Sequence, residues 1–322
     1  MDRESQPILV TGASTGIGRH LAERLADLGH PVFATARKPA DLESLARIPG
    51  VEPVRLDVRS PADIDRAVRQ VEARGRGLYG LVNNAGLGGL GLLATWSEEE
   101  LLEIFDVNAL APIRVTRAFL PLLVRSQGRV VNIGSQGGSI SMRYFGPYTM
   151  TKHAIEAFTV SLAEELEPYG VGVSIVQPGG IVSAIGENSL SGTTGRFRRA
   201  GEPFIDEAAA VLASLEPPPA DPAPDPAAAA ASDPGADPAA DPPESETSRK
   251  PSSPEIVAVA VLDALFAERP RRRYLVGTRW EGHRVLAALM DRLLDANACP
   301  TLGHTLEELI DMLRERTAKE AP

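Results

Sequence analysis

Cysteine is almost absent from this chain of 322 residues, since Cys299 is the only one. A single cysteine excludes an intrachain disulfide, and we expect a protein of a reducing, cytoplasmic compartment. The first six residues are polar and lead directly into an apolar run of strand length. We therefore expect no secretory signal at this end of the chain.

Long apolar runs are also missing, and positive charge is not in excess. The longest run, residues 256–262, is far shorter than the roughly 18 residues of a membrane-spanning helix, so we expect no integral membrane segment. The formal net charge is −10, and the stretch 216–253, with eight acidic and two basic residues, contributes −6 of it. This balance is unlike the basic surface of a nucleic-acid-binding protein. The five histidines show no metal-ligand spacing, so no metal site is predicted.

Lysine is scarce too, and one of the four lysines stands four residues after a tyrosine, as Tyr148 and Lys152. On a helix, residues four apart share a face. A neighbouring ammonium favours the phenolate and lowers the pKa of a tyrosine, which is ordinarily near 10. Lowering it to about 7 takes about 4 kcal/mol, so we expect a second positive charge, such as a bound cationic ring, to contribute. The pair predicts a general acid or base; the alternative is an ordinary surface pair.

The first apolar run, residues 7–10, leads into a glycine-rich turn that ends in Gly16, Ile17 and Gly18. A helical pattern then covers residues 19–28. Strand, glycine-rich turn and helix form the context in which a backbone binds a dinucleotide pyrophosphate. The alternative is a plain tight turn.

The second predicted strand, residues 32–35, is followed by Ala36, Arg37 and Lys38. NAD-specific sites carry an acidic residue near this point, which binds the ribose 2′-hydroxyl. Arginine pairs with a 2′-phosphate instead, so the sequence favours NADP(H) over NAD(H). The alternative is that Arg37 is only an exposed residue at the strand end.

Five further strands are predicted, with helices between them. The strands cover residues 54–58, 78–82, 130–135, 171–177 and 274–276, and a long helix covers residues 98–124. Alternating strands and helices of these lengths predict an α/β fold of Rossmann type, with a doubly wound parallel sheet in a single domain, 1–322. Ligands bind beyond the carboxyl ends of such strands.

Several polar residues lie at these predicted strand ends or interrupt helices. Asn83 and Asn84 follow the fourth strand and are expected to tie adjacent strands together. Asn108 lies inside a long helical pattern, although asparagine is a mediocre helix former; it has either a specific role or an exposed position. Ser135 ends the fifth strand, 13 residues before Tyr148.

In chain order, these residues resemble the short-chain dehydrogenase/reductase family over most of residues 7–185. The oxidoreductase branch matches in its glycine spacing, and the retinol, hydroxysteroid and hydroxybutyrate dehydrogenase group is the most similar part. The matching residues are Thr11, Gly12, Gly16, Gly18, Asp57, Asn83, Asn84, Ala85, Gly86, Asn108, Ser135, Tyr148, Lys152, Pro178 and Gly179.

The resemblance implies four catalytic residues. Tyr148 would exchange the proton of the substrate oxygen, and Lys152 would bind the nicotinamide ribose and keep Tyr148 acidic. Ser135 would donate a hydrogen bond to the substrate oxygen, and Asn108 would hold a water behind Lys152.

The resemblance also implies a cofactor site. The glycines would face the pyrophosphate, Asp57 and Val58 the adenine, Asn84 the ribose side, and Ile181 and Ser183 the nicotinamide amide. The predicted cofactor-binding set is Gly12, Ser14, Thr15, Gly16, Ile17, Gly18, Arg37, Asp57, Val58, Asn84, Ala85, Gly86, Tyr148, Lys152, Pro178, Gly179, Ile181 and Ser183.

The last third of the chain should cover the site and set its specificity. Residues 184–201 have no clear period and are predicted to form a mobile lid, and a short helix is expected over 206–215. Arg143, Tyr144 and Phe145 either line the pocket or pack beneath it.

Residues 217–253 are rich in proline, alanine and aspartate and predict a disordered acidic insertion, either without function or as a docking tail for a partner. Beyond a further helix and strand, a helical extension over 280–322 contains amphipathic patterns at 285–294 and 305–313. Core packing is favoured for these two helices, with substrate closure, a dimer partner and a membrane surface as alternatives.

Together these features predict an NADP(H)-dependent oxidoreductase that acts on a secondary alcohol or ketone, with an apolar small-molecule substrate of steroid, retinoid or acyl type. A homodimer or homotetramer is expected from the resemblance, and no nucleic-acid partner is expected. Two alternatives remain: a 3-ketoacyl-type reductase of lipid or polyketide synthesis, and a non-catalytic NADP-sensing scaffold.

Overall fold

A seven-stranded parallel sheet forms the centre of the protein, in a computed structural model that describes residues 6–215, 251–299, 301 and 303–320. The strand order is β3-β2-β1-β4-β5-β6-β7. Strands β2 and β3 are added on one side of β1 and strands β4 to β7 on the other, so the strand order reverses between β1 and β4. This is the predicted doubly wound fold, and its ligand crevice lies at that reversal point. The strands are β1 (Ile8–Val10), β2 (Val32–Ala36), β3 (Val51–Arg55), β4 (Gly80–Asn83), β5 (Arg129–Ile133), β6 (Gly172–Pro178) and β7 (Arg273–Val276).

Helices cover both faces of the sheet. On one face α3, α5 and α6 pack on residues such as Leu9 and Phe33, and on the other α1, α2 and α9 pack on residues such as Ile8 and Val10. Successive residues of β1 therefore enter opposite cores, as the period of a strand requires. The helices are α1 (Gly16–Asp27), α2 (Pro39–Leu45), α3 (Pro61–Ala73), α4 (Glu98–Phe105), α5 (Ala111–Ser126), α6 (Gly146–Leu166), α7 (Ile185–Arg198), α8 (Ile205–Leu215), α9 (Glu255–Phe266), α10 (Arg279–Asn297) and α11 (Leu306–Glu320).

The third strand begins and ends earlier in the chain than predicted. It was expected over residues 54–58, but β3 covers Val51–Arg55. Because β3 is an edge strand, it tolerates Pro53, which the sequence pattern alone counts against a strand. Asp57 consequently lies just past the strand end, at the carboxyl edge of the sheet.

The long helix predicted over residues 98–124 is interrupted by a π-helical turn, Asp106–Leu110. The combined segment Glu98–Ser126 is long and apolar enough by composition to cross a membrane. However, 56% of its apolar window is buried inside the fold, as in the core helix of a globular protein.

Residues 184–201, predicted to form a mobile lid without a clear period, are mostly helical, because α7 occupies most of this segment. Whether the segment moves as a lid stays a prediction. Glycine, serine and threonine are weak helix formers, so no helical signal was visible here. Tertiary contacts override this weak propensity, since Thr193, Arg196 and Phe197 are buried. The short helix predicted over 206–215 is confirmed as α8.

The predicted acidic insertion, 217–253, falls outside the described residues except for its last three. Of these, Ser252 forms a parallel bridge with Ile181, and its N–H donates to the Gly180 carbonyl at 2.8 Å. Beyond it, α9 enters the core of the sheet and β7 pairs with β6.

The sequence favoured core packing for the two C-terminal helices, but their apolar faces do not pack into the core. Among their described apolar residues, only Val285 in α10 and Leu309 in α11 are buried. The capping box at Thr305 and Glu308 is present, which confirms the predicted helix start. An amphipathic pattern thus predicted the helices correctly but not what their apolar faces contact.

Candidate active site

The glycine-rich turn between β1 and α1 is packed too closely for side chains. A Cβ on Gly12 would lie 2.8 Å from the Ala85 Cα, and one on Gly18 would lie 2.3 Å from the Asn84 Nδ2. Gly12 and Gly16 also have φ angles of 65° and 56°, which favour glycine. The turn therefore needs its glycines both for its conformation and for its contact with the segment after β4.

Asn84 fastens this turn to the end of β4. Its side-chain Nδ2 donates to the carbonyls of Thr11 and Gly12 at 2.9 and 3.0 Å, and its backbone N–H donates to the Thr11 Oγ1 at 2.9 Å. Asn83 instead donates to the Asn132 Oδ1 at 2.9 Å, which ties β4 to β5. The expected strand-tying role of both asparagines is confirmed.

The first turn of α1 is suited to an anion. It has no acidic residue, and its N-cap residue Thr15 makes no side-chain hydrogen bond to the helix N–H groups. These N–H groups and the positive end of the helix dipole are left for a ligand. The donor set and the tight glycine turn fit the pyrophosphate of a dinucleotide.

A cavity of about 850 Å³ opens at this edge of the sheet. Every residue predicted to bind the cofactor lines it, as do Ser135, Tyr148 and Lys152. Asn108 does not line it and lies behind its wall. The sequence motifs, although spread along the chain from Gly12 to Ser183, therefore converge on one cavity.

Tyr148 and Lys152 lie on successive turns of α6, as the spacing predicted. The Lys152 Nζ lies 5.6 Å from the centroid of the Tyr148 ring and donates to the Ile133 carbonyl at 3.0 Å. Ser135 lies just after β5, where its hydroxyl acts to lower the pKa of the Tyr148 phenol, and its Oγ accepts from the Gly137 N–H at 3.0 Å. The two hydroxyl groups and the ammonium thus meet at one place.

Desolvation acts on the two ionisable groups in opposite directions. It raises the pKa of Tyr148 above its ordinary value, and the hydrogen bond from Ser135 only partly offsets this. It lowers the pKa of Lys152 to about 8, against the opposing effect of the Glu156 carboxylate. Desolvation therefore opposes the acidic Tyr148 that the sequence predicts, and the contribution of a second positive charge stays a prediction.

Asn108 lies in the π-helical turn and is 2% exposed. Its Oδ1 accepts from the Leu87 N–H at 2.7 Å, and its Nδ2 donates to the Leu87 carbonyl at 2.9 Å and the Thr151 Oγ1 at 3.2 Å. Thr151 in turn donates to the Tyr148 carbonyl at 2.7 Å. Single π turns recur at functional sites, and this one brings Asn108 against the Thr151 hydroxyl of α6.

At the end of β2, Arg37 and Lys38 are exposed and line the cavity. Asp57, predicted to face the adenine, lines it too, and its hydrogen bonds with Arg59 hold the pKa of its carboxyl below the usual range. Arg59 also lines the cavity, and sequence reasoning missed it because an Asp-x-Arg spacing carries no signal of its own.

The sequence placed residues 184–201 over the site as a lid but did not identify which of them line the cavity, because no period was visible there. Ile185, Asn188, Ser189, Gly192 and Arg196 line the cavity from this helix.

The three residues before the catalytic helix are not among those that line the cavity. Tyr144 packs edge-on against Phe197 at 5.3 Å, and Phe145 lies 6.5 Å from the Tyr148 ring. Arg143 forms an ion pair with a glutamate of α8. Of the two alternatives for these residues, the structure supports packing. Within the described part of the chain, no group of three His, Cys, Asp or Glu residues is arranged to hold a metal ion.

A sequence model of the short chain dehydrogenases matches residues 6–193. The chain is 36% identical to the mitochondrial D-beta-hydroxybutyrate dehydrogenase of Bos taurus over 219 residues, which are 65% of this chain and 62% of that protein. It is 39% identical to retinol dehydrogenase 5 of Mus musculus over 188 residues, 55% of this chain and 59% of that protein. The matched region thus spans about three fifths of the length of these curated relatives.

Solved structures are similar as well. A short-chain dehydrogenase from Streptomyces avermitilis aligns with a TM-score of 0.67 and 28% identity, over 92% of this chain and 95% of that one. A single-residue variant of the actinorhodin polyketide ketoreductase, with NADPH, aligns with a TM-score of 0.55 and 31% identity, over 66% of this chain and 91% of that one.

Proposed function

Because the chain belongs to the short-chain dehydrogenase family, we propose that it is an oxidoreductase that interconverts a secondary alcohol and a ketone with a nicotinamide cofactor. The observation that carries this proposal is the convergence of Ser135, Tyr148 and Lys152 in the cavity that the glycine-rich turn borders. The names of the relatives, which are dehydrogenases and reductases, support it.

The proposed chemistry divides between the cofactor and the chain. When bound, the nicotinamide supplies or accepts the hydride. The Tyr148 hydroxyl gives a proton to the substrate oxygen or takes one from it, and the Ser135 hydroxyl donates a hydrogen bond to the same oxygen and stabilises its developing charge. Below pH 8 Lys152 is largely protonated, and its ammonium beside the Tyr148 ring favours the phenolate.

NADP(H) is the proposed cofactor. The cavity corner at the end of β2 contains Arg37 and Lys38, and Ala36 stands where an NAD site has an acidic residue. Asp41, Asp57 and Glu103 also line the cavity, and Arg59 pairs with both Asp57 and Glu103. The proposed preference therefore depends on the positions of Arg37 and Lys38 at the strand end and not on an excess of positive charge in the cavity. The Arg37 guanidinium can pair with a 2′-phosphate here, because its planar group can donate two parallel hydrogen bonds to the phosphate oxygens.

The substrate proposed from the sequence is apolar, of steroid, retinoid or acyl type. Leu87, Ile181 and Ile185 give the cavity apolar walls. The similarity to a retinol dehydrogenase and to a polyketide ketoreductase supports retinoid and ketoacyl substrates respectively.

The test is nicotinamide absorbance during incubation with steroids, retinoids, short ketones and acyl-chain ketones, with NADPH and with NADH. Tyr148→Phe is the control, because it removes one hydroxyl and keeps the ring. We expect turnover in the wild type, loss of at least about a thousandfold in the variant, and NADPH affinity within about twofold, as removal of an acid/base group predicts. NADPH binding without turnover on any substrate would instead favour the scaffold alternative.

We also propose self-association as a homodimer or homotetramer and a cytoplasmic location. An apolar stripe on α10, formed by Leu286, Leu289, Met290 and Leu293, is exposed and offers a surface for a second copy. Light scattering of the purified chain over a concentration series measures the oligomeric state, and a monomer throughout would contradict the proposal.

A further inference from the structure

Arg196, near the end of α7, is a buried guanidinium on the wall of the cavity. It is 6% exposed, and its Cζ lies 3.5 Å from the centroid of the Trp96 ring, over which it stacks. Gly89 and Gly91 leave room for it, since a Cβ on either would lie within 2.9 Å of an Arg196 atom. The guanidinium is therefore held in one orientation by an aromatic face and a glycine-rich loop.

The charges around Arg196 do not balance. Its Nε lies 3.2 Å from the Glu100 Oε1, and the Nη2 of Arg199 lies 2.5 Å from the Glu100 Oε2. Glu100 and Arg199 are the two charged groups that act on Arg196. Glu100 is thus shared between buried Arg196 and half-exposed Arg199, so its carboxylate compensates the buried charge of Arg196 only in part.

Hydrogen-bond donors of Arg196 remain unused as well. Nη1 donates to the Leu90 carbonyl at 2.8 Å, and Nε faces the Glu100 Oε1 at 3.2 Å in an ion pair. Nη2 makes no hydrogen bond to any described residue and lies beside Gly192, where a Cβ would be 3.1 Å away. Gly192 lines the cavity, so the free edge of the guanidinium is next to a wall residue that has no side chain to cover it.

The cofactor pyrophosphate does not account for this charge. Ser183 lies just before α7. Its Cβ is 3.2 Å from the position that a Cβ on Gly16, in the glycine-rich turn, would occupy. Arg196 lies eleven residues beyond Ile185, or about 16 Å along the helix. Arg196 is thus at the end of α7 remote from the predicted pyrophosphate site.

We propose that Arg196 forms an anion subsite that binds a carboxylate on the substrate, so that the substrate is a hydroxy acid or the matching oxo acid. This rests on the proposed function and selects, among the substrate classes above, an acyl-type molecule with a free carboxylate. A guanidinium edge matches a carboxylate in geometry as well as in charge. Ser189 and Asn188 also line this part of the cavity and carry polar side chains that can contact the same anion.

The first test compares straight-chain 3-, 4-, 5- and 6-oxo carboxylates, each against its methyl ester. We expect the wild type to prefer the best acid over its ester by at least about tenfold in kcat/KM, as expected for one charge-assisted hydrogen-bonded pair. Arg196→Met should remove this preference, so that the ratio of kcat/KM for the acid over the ester falls to about one. Arg199→Met is the matched control, because Arg199 shares Glu100 but does not line the cavity, and it should keep the preference.

The second test needs no turnover and remains informative if the oxidoreductase proposal fails. Trp96 stacks on Arg196, and a Trp280→Phe background leaves it as the only tryptophan. We expect its fluorescence to change saturably with an oxo carboxylate and not with the methyl ester, and Arg196→Met to abolish the response.

Each outcome separates the two proposals. Turnover of ketones without any acid preference would overturn the subsite and leave the proposed function standing. Acid binding at Trp96 without turnover would support the subsite and count against the oxidoreductase. Weaker NADPH binding by Arg196→Met, with no effect on the acid-to-ester ratio, would assign the charge to the cofactor and overturn the subsite.

Discussion

The protonation of Lys152, one of the two residues of the Tyr-xxx-Lys motif, depends on its burial in the fold. Its ammonium is buried, and desolvation brings its pKa from 10.5 to about 8. The unfolded chain then binds more protons than the folded chain between pH 8 and pH 10.5. The contribution of Lys152 to stability therefore rises with pH across this window, and below pH 8 the buried cation is fully destabilising.

This pKa can be measured directly because the chain has only four lysines. In protein with isotope-labelled lysine, we expect one of the four side-chain NMR resonances to titrate near pH 8 and to disappear in Lys152→Met. Glu156→Gln should shift that titration to lower pH, because the Glu156 carboxylate favours the ammonium. A Lys152 resonance that titrates at its ordinary 10.5 would contradict the desolvation argument.

Arg37 allows a second test at the scale of one residue. Arg37→Asp places a carboxylate where a 2′-phosphate would bind, so we expect the ratio of kcat/KM for NADPH over NADH to fall by at least about a hundredfold, from one lost ion pair and one new repulsion. Arg47→Asp makes the same charge change at an exposed residue that does not line the cavity. An unchanged ratio in Arg37→Asp, or an equal change in Arg47→Asp, would remove Arg37 from the cofactor site.

Most of the site could be predicted at the residue scale, and the reason is geometric. Strand ends of a parallel sheet meet at one edge, so Asn84, Ser135 and the catalytic helix converge once the strands are recognised. Arg196 could not be predicted in this way. Its position depends on Trp96 and Glu100, which lie far earlier in the chain and carry no shared spacing with it.

At the scale of the element, the π-helical turn explains why an asparagine interrupts a long helix. Asn108 satisfies both backbone groups of Leu87 and reaches Thr151 on the catalytic helix. The sequence showed the anomaly but not its geometry, because one extra residue in a helical turn leaves the hydrophobic period almost unchanged.

We expect Asn108→Asp to lower the melting temperature, because the carboxylate keeps an acceptor for the Leu87 N–H but loses both donated hydrogen bonds. The loss should be about 2–4 kcal/mol, since the Leu87 carbonyl stays buried and a charge is added. Thr151→Val is the comparison variant, because it keeps both bonds to Leu87 and loses the two hydrogen bonds of the Thr151 hydroxyl, and it should cost about 1–2 kcal/mol. Thermal denaturation measures both, and equal effects would show that Leu87 is not the important partner.

α7, in contrast to the π-helical turn, left no signal in the local sequence. Its residues have poor helix propensity, so local sequence predicted no helix, and burial of Phe197 and Arg196 against the rest of the protein decides the structure. The fold of the sheet was predictable because most of its strands are local apolar runs, whereas the edge strand β3 is not and was predicted at shifted residues. The cover of the site was not, because it is built from long-range contacts.

At the scale of the whole molecule, the segment that follows residue 250 completes the core rather than forming an appendage. Val257, Val261 and Leu265 of α9 are buried in the same cluster as β1, and β7 extends the sheet beyond β6. Removing each such side chain costs about 1.5–3 kcal/mol of burial, so a chain that ends at residue 215 should not fold.

A specific protease site placed near residue 232 tests this organisation. Because α9 and β7 pack against elements from the first part of the chain, we expect the two fragments to stay together in gel filtration after cleavage and to separate only in denaturant. NADPH affinity should remain within about threefold, since the cut lies outside every helix and strand that the structure describes. The matched control is the chain truncated at residue 215, which should be insoluble. Fragments that separate without denaturant, or a truncated chain that binds NADPH, would show that the part before the insertion folds alone and that the sheet ends at β6.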